Sequence, residues 1–301
     1  MDAKTKAAHR KWIPESVRFL GRGIRAWALS AGLPRISPSG LSPKEQHASG
    51  RLSIIVAVHD APEVTNRCLH SLALFSGDAE VIIVDDGSKM ESTRHILDEA
   101  CSRNGWRMLR HRKAMGHSRA SEAGVAASQR PLVCLLNSDT VVTPRSWLGI
   151  VEAFDASPLI AAVGPSTSYT PTLQCVSQAM HCRAYWSNQQ VWGFAEQYVN
   201  RHQSQPLVDL PMIGGFAFFI RRTIWDQFGG FEKKLSDYGN EKELCERLRR
   251  KDARIVWTRA SYIHHLGAES YGKTLGLLQI EHQQRKADAF IEGKHGAPPK
   301  D

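Results

Sequence analysis

The chain has 301 residues, of which 42% are hydrophobic and 23% are charged, and its formal net charge is +9. This length and composition suit one large globular domain, with or without an added arm, and exclude a wholly disordered chain or a coiled coil. Apolar runs such as Leu132 to Leu136 are far shorter than the roughly 20 residues that cross a bilayer, and no signal-peptide pattern opens the chain. The positive charge indicates an acidic partner, either a nucleotide phosphate, a nucleic acid or an anionic membrane face.

Cysteine usage bears on the redox compartment. The six cysteines are spread along the chain without any C-x-x-C pair, and several stand inside apolar runs. Such a distribution is typical of free thiols in a reducing compartment rather than of a disulfide framework. We therefore expect a cytoplasmic protein with no segment that spans a membrane.

The first 50 residues differ from the rest, because they carry nine Lys or Arg residues against three acids. Their apolar residues recur at helical spacing beside a basic stripe, a pattern typical of a helix that lies on an anionic membrane. A helix packed on its own domain is the alternative. The apolar positions are Val17, Leu20, Ile24 and Trp27; the residues that predict a linker after them are Pro34, Pro38, Gly40 and Pro43.

From Arg51 the sequence alternates between strands and helices. Leu52 to Val58 is a nearly continuous apolar run, as expected of a parallel strand buried on both faces. Pro62 opens a predicted helix, and Val81 to Val84 is the second strand. Further along we expect a helix around Ser92 to Cys101, a strand near Arg107 to Leu109, a helix from Ser118 to Ser128 and a strand over Leu132 to Leu136. This alternation predicts a doubly wound α/β half.

The second half predicts a mixed sheet with longer connections. Its elements are a strand near Phe216 to Ile220, a helix near Arg222 to Phe228, a helix near Lys242 to Arg250 and a strand near Arg254 to Trp257. The segment from His181 to His202 is rich in aromatic residues without clear periodicity. It could form a wall for a sugar or lipid acceptor, or it could be ordinary packing.

Acidic residues follow two of the predicted strands. Asp85 and Asp86 end the second strand, and Asn137-Ser138-Asp139 ends the fourth. In open α/β sheets ligands bind beyond the carboxyl ends of strands, and carboxylates there can hold a nucleoside diphosphate through a divalent cation. The same residues could instead cap the following helices. Neither a G-x-G-x-x-G nor a P-loop motif is present, which disfavours dinucleotide or P-loop chemistry.

Taken in order, these motifs resemble the family 2 inverting nucleotide-sugar glycosyltransferases, including rhamnosyltransferase-like members. The resemblance covers about two-thirds of the chain, from Leu52 to Ser270. It implies an α/β glycosyltransferase-A fold, with a doubly wound, mixed but mostly parallel sheet and a nucleotide-binding N-terminal half. The predicted units are a basic arm and linker at 1–50, the catalytic domain at 51–272 and a helical tail at 273–301. The series comprises Asp85-Asp86-Gly87-Ser88, Gly116 to Gly124, Asn137-Ser138-Asp139, Gly214-Gly215-Phe216, Phe228-Gly229-Gly230-Phe231, Asn240 to Arg247 and His264-His265.

The resemblance also implies roles for individual residues. Glu241 stands where the family has its catalytic base, an aspartate, and Asp139 matches the metal ligand of the D-x-D motif. His264 or His265 would complete the site of Mg²⁺ or Mn²⁺, with His264 favoured. The residues implied in nucleotide binding are Val58, Asp60, Asp85, Asp86, Arg119 and Ser138; those implied in acceptor or sugar binding are Gly214, Gly215 and Trp192.

Departures from the family pattern cluster near the predicted base. Asn240 replaces an acid, Lys242 adds a positive charge, and Glu122 stands where relatives often have an Arg-Asn pair. Alternatively, Glu241, Glu243 and Glu246 could simply pair with Arg247 and Arg250 on a solvated helix face.

The function that we expect is transfer of a sugar from a UDP- or dTDP-type donor to an acceptor hydroxyl. The acceptor would be a glycan or a lipid-linked saccharide in cell-surface polysaccharide synthesis. The enzyme would be cytoplasmic, with its arm touching the inner membrane, and without a nucleic-acid partner. Three alternatives remain, a catalytically degenerate family member, a sugar nucleotidyltransferase, and a protein that binds nucleotide sugars or nucleic acid through the basic arm.

Overall fold

The computed structural model describes residues 26–37, 40–180, 182, 185–235, 238–267 and 277–296, with no side-chain description for 277–281. Within these ranges no helix has both the length and the apolar character needed to span a bilayer.

The N-terminal half forms one side of a large sheet. Its central strand, β1 (Leu52–Val58), is buried along its whole length because it is apolar on both faces. It pairs in parallel with β2 (Glu80–Asp85) and β4 (Leu132–Asn137), and β3 (Arg107–Arg110) pairs in parallel with β2 at the edge. The predicted doubly wound half is therefore present.

The second half extends the same sheet and makes it mixed. β8 (Ala217–Arg221) runs antiparallel to β4 and to β6 (Ile160–Ser166). β9 (Arg254–Tyr262) is parallel to β6, and β7 (Val208–Asp209) closes the edge in the antiparallel sense. The strand order is β3-β2-β1-β4-β8-β6-β9-β7, in which only β8 and β7 run against the others. This is the mixed, mostly parallel sheet that the sequence predicts.

Helices cover both faces of the sheet, and a two-stranded ribbon stands beside it. The ribbon pairs β5 (Thr140–Val141) with β10 (His264–His265) in the antiparallel sense. The helices are α1 (Pro43–Ser49), α2 (Pro62–Phe75), α3 (Glu91–Asn104), α4 (His117–Ala127), α5 (Leu148–Ala156), α6 (Ser177–Met180), α7 (Asn188–His202), α8 (Arg222–Phe228), α9 (Asn240–Arg249) and α10 (Leu277–His295).

The end of the predicted arm packs on the domain. The indole N–H of Trp186 donates to Ala26 O over 3.0 Å, and the Gln189 amide exchanges hydrogen bonds with the backbone of Ile36. Trp27 nevertheless leaves 73% of its surface exposed. The other three apolar positions of the predicted membrane helix lie outside the described residues.

Two local predictions differ from the structure. Pro43 does not belong to a linker but opens α1, where proline is tolerated because its missing N–H would have no helical partner. The aromatic segment contains the helix α7, which starts with a capping box between Ser187 and Gln190. Its buried side chains, among them Trp192 and Phe194, fall on one face, and Tyr198 stacks on Phe194 with centroids 6.0 Å apart.

Candidate active site at the carboxyl edge of the sheet

The sheet topology brings the predicted motifs to one edge. Val58 pairs with Asp85 and Ala57 with Asn137, so the ends of β2 and β4 flank the end of β1. Because β8 runs antiparallel to β4, the residues before β8 lie at this same edge. The segments after β6 and β9 also reach it, since both strands are parallel to β4. Strand direction alone thus gathers motifs that are far apart in sequence.

Asp85 has a structural role at this edge. Its carboxylate is buried, accepts the backbone N–H of Ser88 over 2.9 Å and binds Arg110 Nε over 2.7 Å. Both oxygens are therefore bonded inside the protein. The nucleotide contact that the resemblance implies for Asp85 stays a prediction.

Asp86 fastens the loop of residues 111–116. One carboxylate oxygen accepts from His111 Nδ1 over 2.7 Å, and the other accepts from the Gly116 N–H over 2.8 Å. The Met115 N–H lies within 3.1 Å of both oxygens. Asp86 therefore positions the loop that precedes α4, and any contact with a nucleobase would share these oxygens.

Asp60 and Val58 also make hydrogen bonds that hold the loops at this edge of the sheet. Asp60 Oδ1 accepts the N–H groups of Lys89 and Met90 over 2.9 and 2.8 Å. The Val58 side chain is buried, and its carbonyl accepts the Asp86 N–H over 2.8 Å. The Val58 side chain thus belongs to the core, and the predicted contact of this residue with a nucleotide stays a prediction.

Asp139 faces His265 rather than His264. His265 Nε2 lies 3.2 Å from Asp139 Oδ1, and both side chains are almost fully buried. His265 Nδ1 lies 2.7 Å from the carbonyl oxygen of Tyr169, so Nδ1 must carry a hydrogen. In the neutral ring Nε2 then presents a lone pair to a carboxylate oxygen. Two acceptor atoms at this distance need a proton or a cation between them.

Burial alone would raise the pKa of Asp139, but a positive charge on the adjacent His265, with His117 contributing, holds it below its usual value. The carboxylate therefore stays ionised, as a metal ligand must be. Ligands on adjacent corners of an octahedral site with bonds of about 2.1 Å lie about 3 Å apart, which matches this pair. Within the described part of the chain, no group of three or more His, Cys, Asp or Glu side chains is arranged for a metal. Among the described residues, Asp139 and His265 are the two side chains that this geometry offers to a cation.

His264 points into the interior. Its ring is fully buried, Nδ1 lies 2.8 Å from the Tyr262 hydroxyl, and it stacks against Trp186 with centroids 6.1 Å apart. Neighbouring residues in a strand face opposite sides, so only one histidine of the pair can face Asp139. The predicted preference for His264 is corrected to His265.

Glu241 lies directly against Gly215. A Cβ built on Gly215 would be 2.7 Å from Glu241 Cδ, closer than real Cβ contacts, so the carboxylate occupies the space that a side chain would fill. On the other side of the same turn, Gly214 donates its N–H to Gln174 Oε1 over 2.8 Å. The structure therefore brings the predicted base and the predicted sugar-binding glycines together.

The departures around Glu241 have structural explanations. Asn240 is buried and donates from Nδ2 to Ser118 Oγ over 2.7 Å, which ties the start of α9 to the start of α4. Lys242 pairs with Asp288 of α10 over 2.7 Å. Lys242 is therefore engaged away from Glu241, on the contact between α9 and α10.

Glu243 is the centre of a buried ion cluster. Its carboxylate has no exposed surface and accepts from Arg247 Nε and Lys294 Nζ, both over 2.7 Å, and from His295 over 3.0 Å. Burial opposes ionisation, but these three partners bring the pKa of Glu243 below its usual value. The alternative of pairing with arginines is thus confirmed for Glu243, although on a buried and not a solvated face, and for Glu246, which pairs with Arg250 over 2.7 Å. Glu241 instead lies against Gly215.

Three further predicted residues differ in exposure. Arg119 is partly exposed and pairs with Glu122 over 3.1 Å. Glu122, the acid that departs from the family pattern, therefore neutralises the arginine one turn before it in α4. Ser138, which stands between Asn137 and Asp139 in the sequence, is 8% exposed. Trp192 is 3% exposed, donates its indole N–H to Val142 O and packs edge-on against Phe75, so it belongs to the core. Its predicted place in the acceptor wall is corrected.

Several residues at this edge were missed by sequence reasoning. His111 contacts Asp86, His117 lies near Asp139, and Gln174 holds Gly214. The sequence offers one sign of His117, because it follows Gly116 directly within the Gly116 to Gly124 motif. The other two stand in segments without a recognisable pattern.

Comparison with known proteins agrees with the fold and the motif series. The family model described as Glycosyl transferase family 2 matches residues 53–228, more than half of the chain. The chain therefore belongs to glycosyl transferase family 2, as the motif series predicts. Polypeptide N-acetylgalactosaminyltransferase 5 of Caenorhabditis elegans is 25% identical over 213 residues, which are 64% of this chain and 33% of that protein. The chain spans less than half the length of the curated relatives that it matches.

Two solved structures share the fold. The structure of GalNAc-T7 with UDP, GalNAc and Mn²⁺ aligns with a TM-score of 0.56 at 16% identity, covering 71% of this chain and 43% of that one. Mannosyltransferase PcManGT from Pyrobaculum calidifontis, in complex with GDP-Man and Mn²⁺, aligns with a TM-score of 0.55 at 14% identity, covering 94% and 75%. The expected glycosyltransferase-A fold is confirmed.

Proposed function

We propose that this protein is an inverting glycosyltransferase that moves a hexose or deoxyhexose from a nucleoside-diphosphate sugar to an acceptor hydroxyl. One observation supports this most strongly: two consecutive residues, Gly215 and Phe216, contact the two halves of the candidate site. Phe216 stacks on the ring of His265 at 5.4 Å, while Gly215 abuts the Glu241 carboxylate. The Glu241 carboxylate and the Asp139–His265 pair therefore each contact one of two consecutive residues and lie close to each other.

Asp139 and His265 would hold the divalent cation, which neutralises the charge of the leaving diphosphate when it is bound. A carboxylate oxygen with an imidazole nitrogen suits Mn²⁺ better than Mg²⁺, whose ligands are oxygens. The donor is proposed to be of the UDP or dTDP type and to lie along the edge formed by Asp60, Asp86 and Ser138.

Glu241 is the proposed general base. In an inverting transfer one carboxylate takes the proton of the acceptor hydroxyl as its oxygen attacks the anomeric carbon. The bond from that carbon to the diphosphate oxygen breaks on the opposite face, and its electron pair leaves with the diphosphate. Both flanking departures, Asn240 and Lys242, are bonded elsewhere. Neither departure therefore occupies Glu241, which argues against a catalytically degenerate family member.

A donor panel tests this proposal. Released nucleoside diphosphate is measured with and without Mn²⁺ for the wild type and for Glu241→Gln, and the anomeric configuration of the product is assigned by NMR. We expect inversion and a fall in turnover of roughly 10² to 10⁴-fold in Glu241→Gln with unchanged donor affinity. A retained configuration would exclude the inverting mechanism, and wild-type turnover in Glu241→Gln would remove Glu241 from the role.

The setting of the reaction is part of the proposal. The acceptor is taken to be a glycan or lipid-linked saccharide of the cell surface, used on the cytoplasmic face of the inner membrane. Exposed Trp27 and Leu29 follow the basic residues of the arm and support peripheral membrane contact. Vesicle co-sedimentation tests this part; we expect retention on anionic vesicles to fall in Trp27→Ala, and equal retention would count against the contact.

A further inference from the structure

Gln174 is a buried amide that no motif predicts. The Gln174 side chain has no exposed surface, and its polar atoms make three hydrogen bonds. Oε1 accepts the Gly214 N–H and the Thr172 hydroxyl, each over 2.8 Å, and Nε2 donates to Pro165 O over 2.8 Å. An amide is costly to bury unless its polar atoms are paired, so this arrangement specifies one position for each group that it binds.

The amide joins the end of β6 to the turn that precedes β8. Pro165 belongs to β6, and Gln174 stands in the connection that follows it. The backbone fixes this connection independently of the side chain, because Thr167 N–H donates to Gln174 O over 3.0 Å and Val176 N–H donates to Thr167 O over 2.7 Å. The Gln174 side chain therefore projects from a braced loop onto the Gly214 N–H.

The turn at Gly214 has little freedom on its other sides. A Cβ on Gly214 would be 2.5 Å from Thr170 Oγ1, so this loop covers the turn closely. The next residue, Gly215, abuts Glu241. A shift of the turn would consequently move the surface against which the Glu241 carboxylate rests.

We propose that Gln174 is a positioning residue that fixes the Gly214–Gly215 turn and thereby sets where Glu241 presents its carboxylate. This inference rests on the proposed function, in which Glu241 is the base. Gln174 acts through the turn and does not itself touch the substrate. A displacement of about 1 Å at such a site can cost roughly 10²-fold in rate, so the effect on turnover is measurable.

The test compares Gln174→Met with Gln174→Glu. Methionine has a similar size but cannot bind the Gly214 N–H, whereas a protonated glutamate keeps an acceptor for it and a hydroxyl donor for Pro165 O. We expect Gln174→Met to lower kcat by roughly 10²-fold per folded molecule, with the Kd for a nucleoside diphosphate and Mn²⁺ unchanged. Gln174→Glu should recover part of that loss. Gln203→Met, a substitution at an exposed position, is the matched control and should leave kcat unchanged.

A readout that does not depend on activity accompanies the kinetics. Hydrogen exchange at the Gly214 amide should accelerate in Gln174→Met and stay slow in Gln174→Glu. Wild-type kcat in folded Gln174→Met, or an unchanged exchange rate at Gly214, would overturn the inference. If the wild type neither hydrolyses nor transfers from any donor, the proposed function fails, and the exchange rate still decides whether Gln174 holds the turn.

Discussion

His265 Nε2 faces Asp139 Oδ1 across 3.2 Å, while Nδ1 of the same ring is committed to the Tyr169 carbonyl. In the neutral ring the hydrogen is therefore on Nδ1, and His265 Nε2 and Asp139 Oδ1 face a common point at which a proton or a cation must lie. It depends on the pairing of β5 with β10, in which His265 lies opposite Thr140, the neighbour of Asp139. The small ribbon is therefore the element that assembles the candidate metal site.

Removing either side chain of this pair should abolish metal-dependent nucleotide binding. We expect Asp139→Asn and His265→Ala each to lose the Mn²⁺-dependent part of the affinity for a nucleoside diphosphate, because the cation loses a protein ligand. Isothermal titration calorimetry with and without Mn²⁺ measures this. Asp226→Asn is the control, since Asp226 is exposed and pairs only with Arg222 of α8. Unchanged affinity in both site variants would remove the metal role from this pair.

A methyl group on Gly215 should displace the Glu241 carboxylate rather than unfold the protein, because the end of a flexible side chain can move aside. We expect Gly215→Ala to lower kcat by roughly 10²-fold while the melting temperature stays near that of the wild type. Gly293→Ala in α10 is the matched control, since a Cβ there would meet no atom within 4 Å. Normal turnover in Gly215→Ala would show that the position of Glu241 does not limit the reaction.

Loss of the Glu243 charge should affect stability instead of chemistry. Glu243→Gln leaves Arg247 without its buried counter-charge, while Lys294 keeps its pair with Glu232, so we expect a loss of about 3 kcal/mol in the free energy of unfolding, the low end of the range for a broken buried ion pair. Urea denaturation measures this, with Glu99→Gln as the control because its pair with Arg103 is exposed and worth at most about 1 kcal/mol. Full stability together with lost turnover would instead identify Glu243 as the base.

Glu45 should make stability depend on pH. Its carboxyl group accepts the N–H groups of Trp147 and Leu148, but burial raises its pKa from 4.5 to about 7. The folded state therefore binds this proton more tightly than the unfolded state does. The stabilisation from this group is complete below pH 4.5 and is lost as the pH rises to about 7, a change of about 3 kcal/mol.

Glu45→Gln should remove this part of the pH dependence, because glutamine keeps an acceptor and cannot ionise. The measurement is the free energy of unfolding in urea at several pH values between 4.5 and 7. Equal slopes in the variant and the wild type would show that Glu45 does not titrate in this range. Asp155→Asn is the control, since that carboxylate is exposed beside Arg51.

Much of the N-terminal half could be predicted from sequence. A strand buried on both faces must be apolar throughout, so β1, β2 and β4 were recognisable, and their acids necessarily followed at the carboxyl edge. The helix α7 was not predicted, although its buried residues Val191, Trp192, Ala195 and Val199 fall at helical spacing. The rings of Tyr185 and Trp186, which precede the helix, do not continue that spacing and obscured it in the sequence.

The sequence by itself determined that the acids after β2 and β4 would meet at one edge, because parallel strands place their carboxyl ends together. Only the tertiary structure decided which atoms meet there. His264 and His265 are adjacent in a strand and must face opposite sides, and the register of β10 on β5 selects His265. Likewise, Glu241 reaches Gly215 because β8 reverses direction against β4. Register and strand direction are relations between distant segments, and no local pattern encodes them.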